Sequence, residues 1–238
     1  MPSSKRPVRI AHAYGNTLDA LERALAADND MIETDIWYRA GQIFVRHERR
    51  LGPLPLLGDR RMAGHALGPM SLRLGRRYFL RPDVKPFRLD DLLDAVGGRR
   101  RLLLDLKGTY TGRETDAFAR TLAKQVLERH AIEQVAVCGQ TYEPLHCLRE
   151  VAPEIEVRYS IERPHQWRTF LRLVDSDALV RRICIEHRFI DAQKARYVEE
   201  RGIDLYCWTV DDAAEARRLV QQGVDGVISN DLALLASL

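Results

Sequence analysis

Short apolar runs alternate with amphipathic stretches along nearly the whole chain. Strand candidates are VRIAHA (8–13), MIETDIW (31–37), QIFVRHE (42–48), RLLLDLK (101–107), QVAVCGQ (134–140), EVRYSI (156–161), RICIEH (182–187), DLYCWTV (204–210) and DGVISN (225–230). Helix candidates, with apolar positions three and four apart, include TLDALERALAAD (17–28), RETDAFARTLAKQVLERH (113–130) and DAAEARRLVQQG (212–223). The last of these stops at Gly223. Such alternation predicts a parallel sheet covered by helices. Nine strands exceed a closed barrel of eight by one. The second and third are joined only by YRAG, too short for a crossover helix, so they should form an antiparallel hairpin. Setting QIFVRHE aside leaves eight strands. The length of 238 residues then fits one (β/α)8 TIM barrel, typically ~250 residues. An open doubly wound sheet would also absorb eight strands. No linker or low-complexity tract divides the chain, so residues 1–238 read as a single domain.

One segment breaks the rhythm. From Arg49 to Pro86 no strand is evident, and Gly and Pro recur. Between Arg46 and Arg88 there are eleven Lys or Arg against Glu48, Asp59 and Asp83. A loop of this length is either functional or a solvated basic insertion. If it folds over the barrel mouth, its arginines, interleaved with Met70, Leu72, Leu74, Tyr78 and Phe79, would form a lid both cationic and apolar. Such a lid suits a ligand both anionic and acylated, or contact with an anionic membrane.

Composition narrows the class. The chain is 45% hydrophobic and 30% charged with a net charge of only +3, which is globular and gives no case for nucleic acid. The N-terminus lacks the apolar core of a signal peptide, and no apolar run reaches the ~20 residues of a membrane span. Cys138, Cys147, Cys184 and Cys207 are scattered without a C-x-x-C pair. They read as reduced thiols of a cytoplasmic protein.

The chemistry gathers on two strands. Residues i and i+2 of a strand share a face. Glu33 and Asp35 therefore point one way, with Ile32 and Ile36 the other. In RLLLDLK, Leu103, Asp105 and Lys107 point inward while Leu102, Leu104 and Leu106 point out. Three carboxylates and one lysine should converge at the C-terminal ends of two neighbouring strands, where barrel active sites lie. Two carboxylates ~4 Å apart repel by roughly 4 kcal/mol at an effective dielectric near 20. A divalent cation would turn that repulsion into shared attraction, and all-oxygen ligation selects Mg²⁺, Ca²⁺ or Mn²⁺. A metal-free network of carboxylates, lysine and arginine also remains open. His12 ends the first strand and His47 the hairpin strand, and such a pair can serve as base and acid in one turnover. His65, His130, His146 and His165 lack such company; His187 ends a strand and could line the mouth.

The stretches IAHAYGNTLDALERAL, MIETDI, FVRHE, LLLDLK and YCWTVDDAAEARRLVQQGVDGVISND, in this order, resemble the glycerophosphodiester phosphodiesterase family. The resemblance runs from the first strand to the last, omitting the basic insertion. It implies a (β/α)8 barrel with one divalent cation, Mg²⁺ or Ca²⁺, held by Glu33, Asp35 and Asp105. It matches His12 and His47 to the catalytic pair, Lys107 to a phosphate-contacting lysine and Trp208 to an aromatic pocket wall. Some positions depart from the pattern. Ala13 stands for an arginine, Gly15-Asn16-Thr17 shortens P-E-N-T, Glu48 follows His47 in place of Asp, and Asp105 replaces a common Glu. Several of these are similar to the sphingomyelinase D-like phospholipases of the same superfamily.

The implied activity is metal-dependent cleavage of glycerophosphodiesters or related (lyso)phospholipid phosphodiesters by His/His acid–base or nucleophilic chemistry. Two alternatives accompany it: a phospholipase D-like enzyme forming a cyclic phosphate, or an impaired barrel that only binds phosphorylated ligands. The implied partner is a small-molecule or lipid phosphodiester.

Overall fold

In a computed structural model the described residues are 6–46 and 87–238, together with the backbone of three short strands at 58–60, 72–74 and 78–80. In chain order the elements are β1 (Val8–Ala11), α1 (Leu18–Ala26), β2 (Met31–Arg39), β3 (Gln42–Val45), β4 (Gly58–Arg60), β5 (Leu72–Leu74), β6 (Tyr78–Leu80), β7 (Phe87–Arg88), α2 (Leu89–Val96), β8 (Arg101–Leu106) and α3 (Arg113–Glu128). There follow β9 (Val135–Gly139), α4 (Tyr142–Val151), β10 (Glu156–Ile161), α5 (Pro164–Leu173), β11 (Arg182–Glu186), α6 (Ala192–Glu199), β12 (Asp204–Trp208), α7 (Ala213–Gln221), β13 (Gly226–Ser229) and α8 (Leu232–Ala236).

Eight of these strands close into a parallel barrel in the order β1-β2-β8-β9-β10-β11-β12-β13, with β13 returning to β1. It is a TIM barrel, and the open-sheet alternative is excluded. The helix starts follow from local chemistry. Thr17, Asp191, Asp212 and Asp231 each accept a backbone N–H of the first turn.

The apolar positions sort into two sets, as period-two strands require. Ile32, Ile36, Leu102, Leu104 and Leu106 belong to the large layer between barrel and helices. Ile10, Met31, Leu103, Ala136, Cys138, Cys184, Tyr206 and Ile228 fill the interior. The lower interior is closed by Arg158. Its guanidinium lies 3.4 Å from the centre of the Tyr206 ring and pairs with Glu156 and Asp204, both at 2.7 Å. Gly226 permits that stack, since a Cβ there would sit 2.5 Å from Tyr206 Cδ1.

The hairpin strand lies outside the wall, as expected, but the connection is tighter than YRAG suggested. The second strand continues to Arg39, which pairs with Gln42, and the turn is Ala40-Gly41 alone, with φ of 47° and 78°. Two left-handed residues make the tight hairpin turn that matches strand twist. The strand then stops at Val45 rather than Glu48. A further strand, Phe87–Arg88, pairs antiparallel with β3, so two extra strands flank the barrel.

The insertion at 49–86 is not devoid of strands, as its composition suggested. Residues 58–60, 72–74 and 78–80 form an antiparallel sheet of their own in the order β4-β6-β5. Short backbone runs can pair without the hydrophobic alternation by which strands are read from sequence. The lid expected from the insertion's side chains lies outside the described residues. Among the described residues no helix is long and apolar enough to cross a membrane.

Candidate active site

Reading each strand inward to its C-terminal end gives the site. β1 presents Ile10 and then His12; β2 presents Met31, Glu33 and Asp35; β8 presents Leu103, Asp105 and Lys107. His12 and Lys107 lie one residue past their strands. Their N–H groups still bond the neighbouring strands, to Ser229 O and Ile36 O, both at 2.9 Å. The two strands therefore end earlier than their apolar runs suggested, and the chemistry starts where the ladder opens into loops.

Asp35 and Asp105 are register partners on adjacent strands. Ligand oxygens of Glu33, Asp35 and Asp105 lie within 4.8 Å of one another, an arrangement that can hold a metal ion. Glu33 and Asp35 are buried. Burial pushes the Glu33 carboxyl well above the usual carboxylate range, and the charges of Asp35 and Asp105 push it further. Lys107 Nζ stands 2.8 Å from Asp35 Oδ1 and also donates to Asp105 Oδ2. Burial alone would lower the Lys107 ammonium, but the three carboxylates outweigh it and raise it well above its ordinary value.

Among the described residues, one lysine against three carboxylates leaves the cluster short of positive charge. Asp105 Oδ1 is buried there without a hydrogen-bond partner among the described residues. A buried anionic oxygen left bare is costly, and a hard divalent cation fits this donor set. The residues present thus fit the ion that the resemblance implies.

The loop after β1 holds this cluster in place. Ala13, at φ 59°, donates its N–H to Glu33 Oε2 at 2.5 Å. Asn16 donates Nδ2 to Asp35 Oδ2 at 2.6 Å, while its Oδ1 accepts the Asp35 N–H and the Thr34 hydroxyl, both at 2.9 Å. The chain comes so close here that a Cβ on Gly15 would stand 2.5 Å from Thr34 Cβ. Asn16, seen in sequence only as part of a shortened motif, orients a candidate ligand.

His12 is fixed from the other side. Its Nδ1 lies 2.9 Å from Asn230 Oδ1, and its Nε2 lies 3.9 Å from Glu33 Oε2. Asn230 donates Nδ2 to Asp211 Oδ2 and its main-chain N–H to Asp211 Oδ1, each at 2.8 Å. With the amide turned toward Asp211, Asn230 presents only an acceptor to His12. The proton then belongs on Nδ1, leaving the Nε2 lone pair toward the carboxylates.

A cavity of about 620 Å³ opens at this end of the barrel, lined by His12, Glu33, Asp105, Lys107 and Trp208 among others. Five sequence-predicted site residues are thus brought together at one cavity, and Asp35 joins them beneath its wall. His187 is not among the lining residues; its Nδ1 pairs with Glu215 at 3.1 Å. His47 lies outside the described residues. The N–H of Arg46, the residue before it, bonds Asp35 O at 2.8 Å. Sequence reading missed Asp211, Asn230, Glu162 and Glu186. For three of them the signal was available: the inward period runs from Cys184 to Glu186 at the last residue of β11, and continues one residue past the strand from Ile228 to Asn230 and from Ser160 to Glu162.

The profile of the Glycerophosphoryl diester phosphodiesterase family matches residues 3–234. The chain is 26% identical over 246 residues to glycerophosphodiester phosphodiesterase GDPD4 of Arabidopsis thaliana, covering 95% of this chain and 69% of that one. Among solved structures, a candidate glycerophosphoryl diester phosphodiesterase of Silicibacter pomeroyi superposes with a TM-score of 0.77 at 17% identity, over 99% of this chain and 95% of that one. An Oleispira antarctica phosphodiesterase in complex with the product sn-glycerol-3-phosphate gives 0.73 at 20% identity, over 97% and 96%. These two likenesses extend the agreement to the fold.

Proposed function

The chain belongs to the glycerophosphoryl diester phosphodiesterase family, and from that premise we propose that it is a divalent-cation-dependent enzyme that cleaves glycerophosphodiesters at the mouth of its barrel. The observation that carries this reading is the triad Glu33, Asp35 and Asp105 beside Lys107 and His12 in one cavity. The Oleispira relative holds sn-glycerol-3-phosphate, and we carry that product class over to this chain. Ala13 replaces a family arginine, but its N–H still serves Glu33, so its arrival does not dismantle the cluster.

Glu33, Asp35 and Asp105 would hold the cation. When bound, it would polarise the phosphoryl group and offset charge that develops in the transition state. Lys107, anchored between Asp35 and Asp105, directs its ammonium to the phosphoryl oxygens. Trp208 walls one side. His12, with Nδ1–H given to Asn230, offers the Nε2 lone pair and begins the turnover as base. It takes a proton from the attacking water as the new P–O bond forms. His47 is assigned the complementary role: it gives a proton to the departing alcohol oxygen as the old P–O bond breaks. The hydrogen bond of Arg46 to Asp35 supports this, because it brings the chain to the carboxylates one residue earlier.

The test is phosphorus NMR of purified protein with Mg²⁺ or Ca²⁺ acting on glycerophosphodiesters and on choline lysolipids. Glycerol phosphate should accumulate from the glycerophosphodiesters and lysophosphatidate from any lysolipid that is cleaved, and a persistent cyclic phosphate would favour the phospholipase D-like course. His12→Ala and His47→Ala should each lower turnover by about 10²- to 10⁴-fold. Activity near wild type in either variant removes that residue from the mechanism.

A further inference from the structure

We propose that the cavity wall facing the carboxylate–lysine cluster selects phosphodiesters whose alcohol carries a cationic nitrogen, with Glu162 and Glu186 as specificity-determining residues. The proposal rests on the phosphodiesterase reading above and names the substrate class of the same site.

The strand order supplies the geometry. β11 lies four strands round the barrel from β2, and β10 lies four from β1. Glu186, at the end of β11, therefore stands across the mouth from Glu33 and Asp35. Glu162, just past β10, stands across from His12. Both line the cavity together with Trp208. A diester held by its phosphate at β2 and β8 extends one arm toward this wall.

The chemistry of the wall suits a cation. Glu162 Oε2 accepts from Gln140 Nε2 at 2.9 Å, and among the described residues it has no cationic partner. Glu186 accepts the Arg188 main-chain N–H at 3.1 Å and has His187 Nε2 at 3.9 Å and Arg188 Nε at 3.5 Å. His187 is held more closely by Glu215, at 3.1 Å, and Arg188 is 82% exposed, so its solvated pair holds little energy. Glu186 is also the register partner of Trp208, so carboxylate and indole sit side by side. A negative charge next to an aromatic face is a recognition surface for ammonium and quaternary ammonium groups.

The charge of the described lining points the same way. Among the described residues it includes Glu33, Asp105, Glu162, Glu186 and Asp211 against Lys107 and Arg188. A divalent cation offsets two of these carboxylates and still leaves this described lining negative, before an anionic phosphodiester enters. A neutral alcohol would desolvate Glu162 and Glu186 without compensation; a choline- or ethanolamine-type alcohol supplies it.

The experiment compares kcat/KM of the full chain with Mg²⁺ for glycerophosphocholine and for its neutral isostere, the 3,3-dimethylbutyl ester, in which carbon replaces nitrogen. Wild type should favour the choline ester by roughly tenfold. Glu162→Gln and Glu186→Gln should each reduce that ratio several-fold. Arg188→Glu, at an exposed position, should raise it. A ratio near one in wild type, or a ratio unmoved in all three variants, overturns the proposal. If no diester is turned over, the phosphodiesterase reading fails on its own, and binding of choline against 3,3-dimethylbutanol, followed by NMR titration of the same proteins, decides this one. Choline binding no tighter than the neutral alcohol would refute it; tighter binding that weakens in the glutamine variants would support it.

Discussion

Replacing Asn230 with alanine should damage catalysis without touching a candidate ligand. The variant keeps the main-chain bond of residue 230 to Asp211, at 2.8 Å, so the loop stays anchored. It loses the side-chain oxygen 2.9 Å from His12 Nδ1. While His12 is neutral that bond is ordinary. Once Nε2 has taken a proton the ring is cationic, and a hydrogen bond to a charged group is worth about 1.5–3 kcal/mol. Removing it should slow kcat by roughly 10- to 150-fold, since each 1.36 kcal/mol is a factor of ten. Asn230 acts through His12, so a second readout separates positioning from general damage. In ¹⁵N NMR the wild-type His12 ring should carry its proton on Nδ1, whereas the variant should show a mixture of tautomers. A loss of activity under threefold, or an unchanged tautomer in the variant, would refute the reasoning.

Glu33→Gln, Asp35→Asn and Asp105→Asn should abolish the rise in melting temperature that Mg²⁺ or Ca²⁺ gives wild type, a gain of about 2.7 kcal/mol at 100 times the Kd. Equal shifts in all four proteins would favour the metal-free ion network. Arg158→Met should destabilise the fold by about 1–3 kcal/mol in urea titrations, because Asp204 loses its counter-charge while Glu156 keeps Arg101 at 3.0 Å; a cost under 1 kcal/mol would contradict a structural plug. Arg218, with help from His187, holds the Glu215 carboxyl down at about 2, from an ordinary 4.5. Its folded value is depressed, so its contribution is present above about pH 4.5 and fades as the pH falls toward 2. Discounted for partial solvation, that is about 1–2 kcal/mol, and Glu215→Gln should flatten the stability curve across that acid window, as chemical denaturation at several pH values would reveal.

Much of the barrel was legible because period two and period 3.6 are set by geometry rather than by context. The inward placement of Glu33, Asp35, Asp105 and Lys107 followed from alternation alone, and register pairing of Asp35 with Asp105 agrees with it. Strand ends were less legible. Apolar runs such as VRIAHA and DLYCWTV continue past the point where the ladder opens, since residues at the mouth are still packed. The support shell was harder again. Asn16 ends a single 3-10 turn, Tyr14–Asn16, and Asp211 sits in a loop; their side-chain directions depend on turns such as the left-handed Ala13 and not on a repeating pattern. The strands at 58–60, 72–74 and 78–80 were missed because a segment rich in Gly, Pro and Arg shows no alternation to count.

The pairing of β3 with β7 has a consequence for how such a barrel can change. Phe44 faces Arg88 and Val45 faces Phe87, so the chain leaves and re-enters the barrel region through a stitched neck two strands wide. Whatever lies between is topologically a closed loop with its ends already joined. Doubling the length of such a loop costs only about 0.6 kcal/mol. The neck is therefore a natural graft point, where the segment beyond His47 can be exchanged for another while His47 and the ligand-bearing end of β2 keep their places.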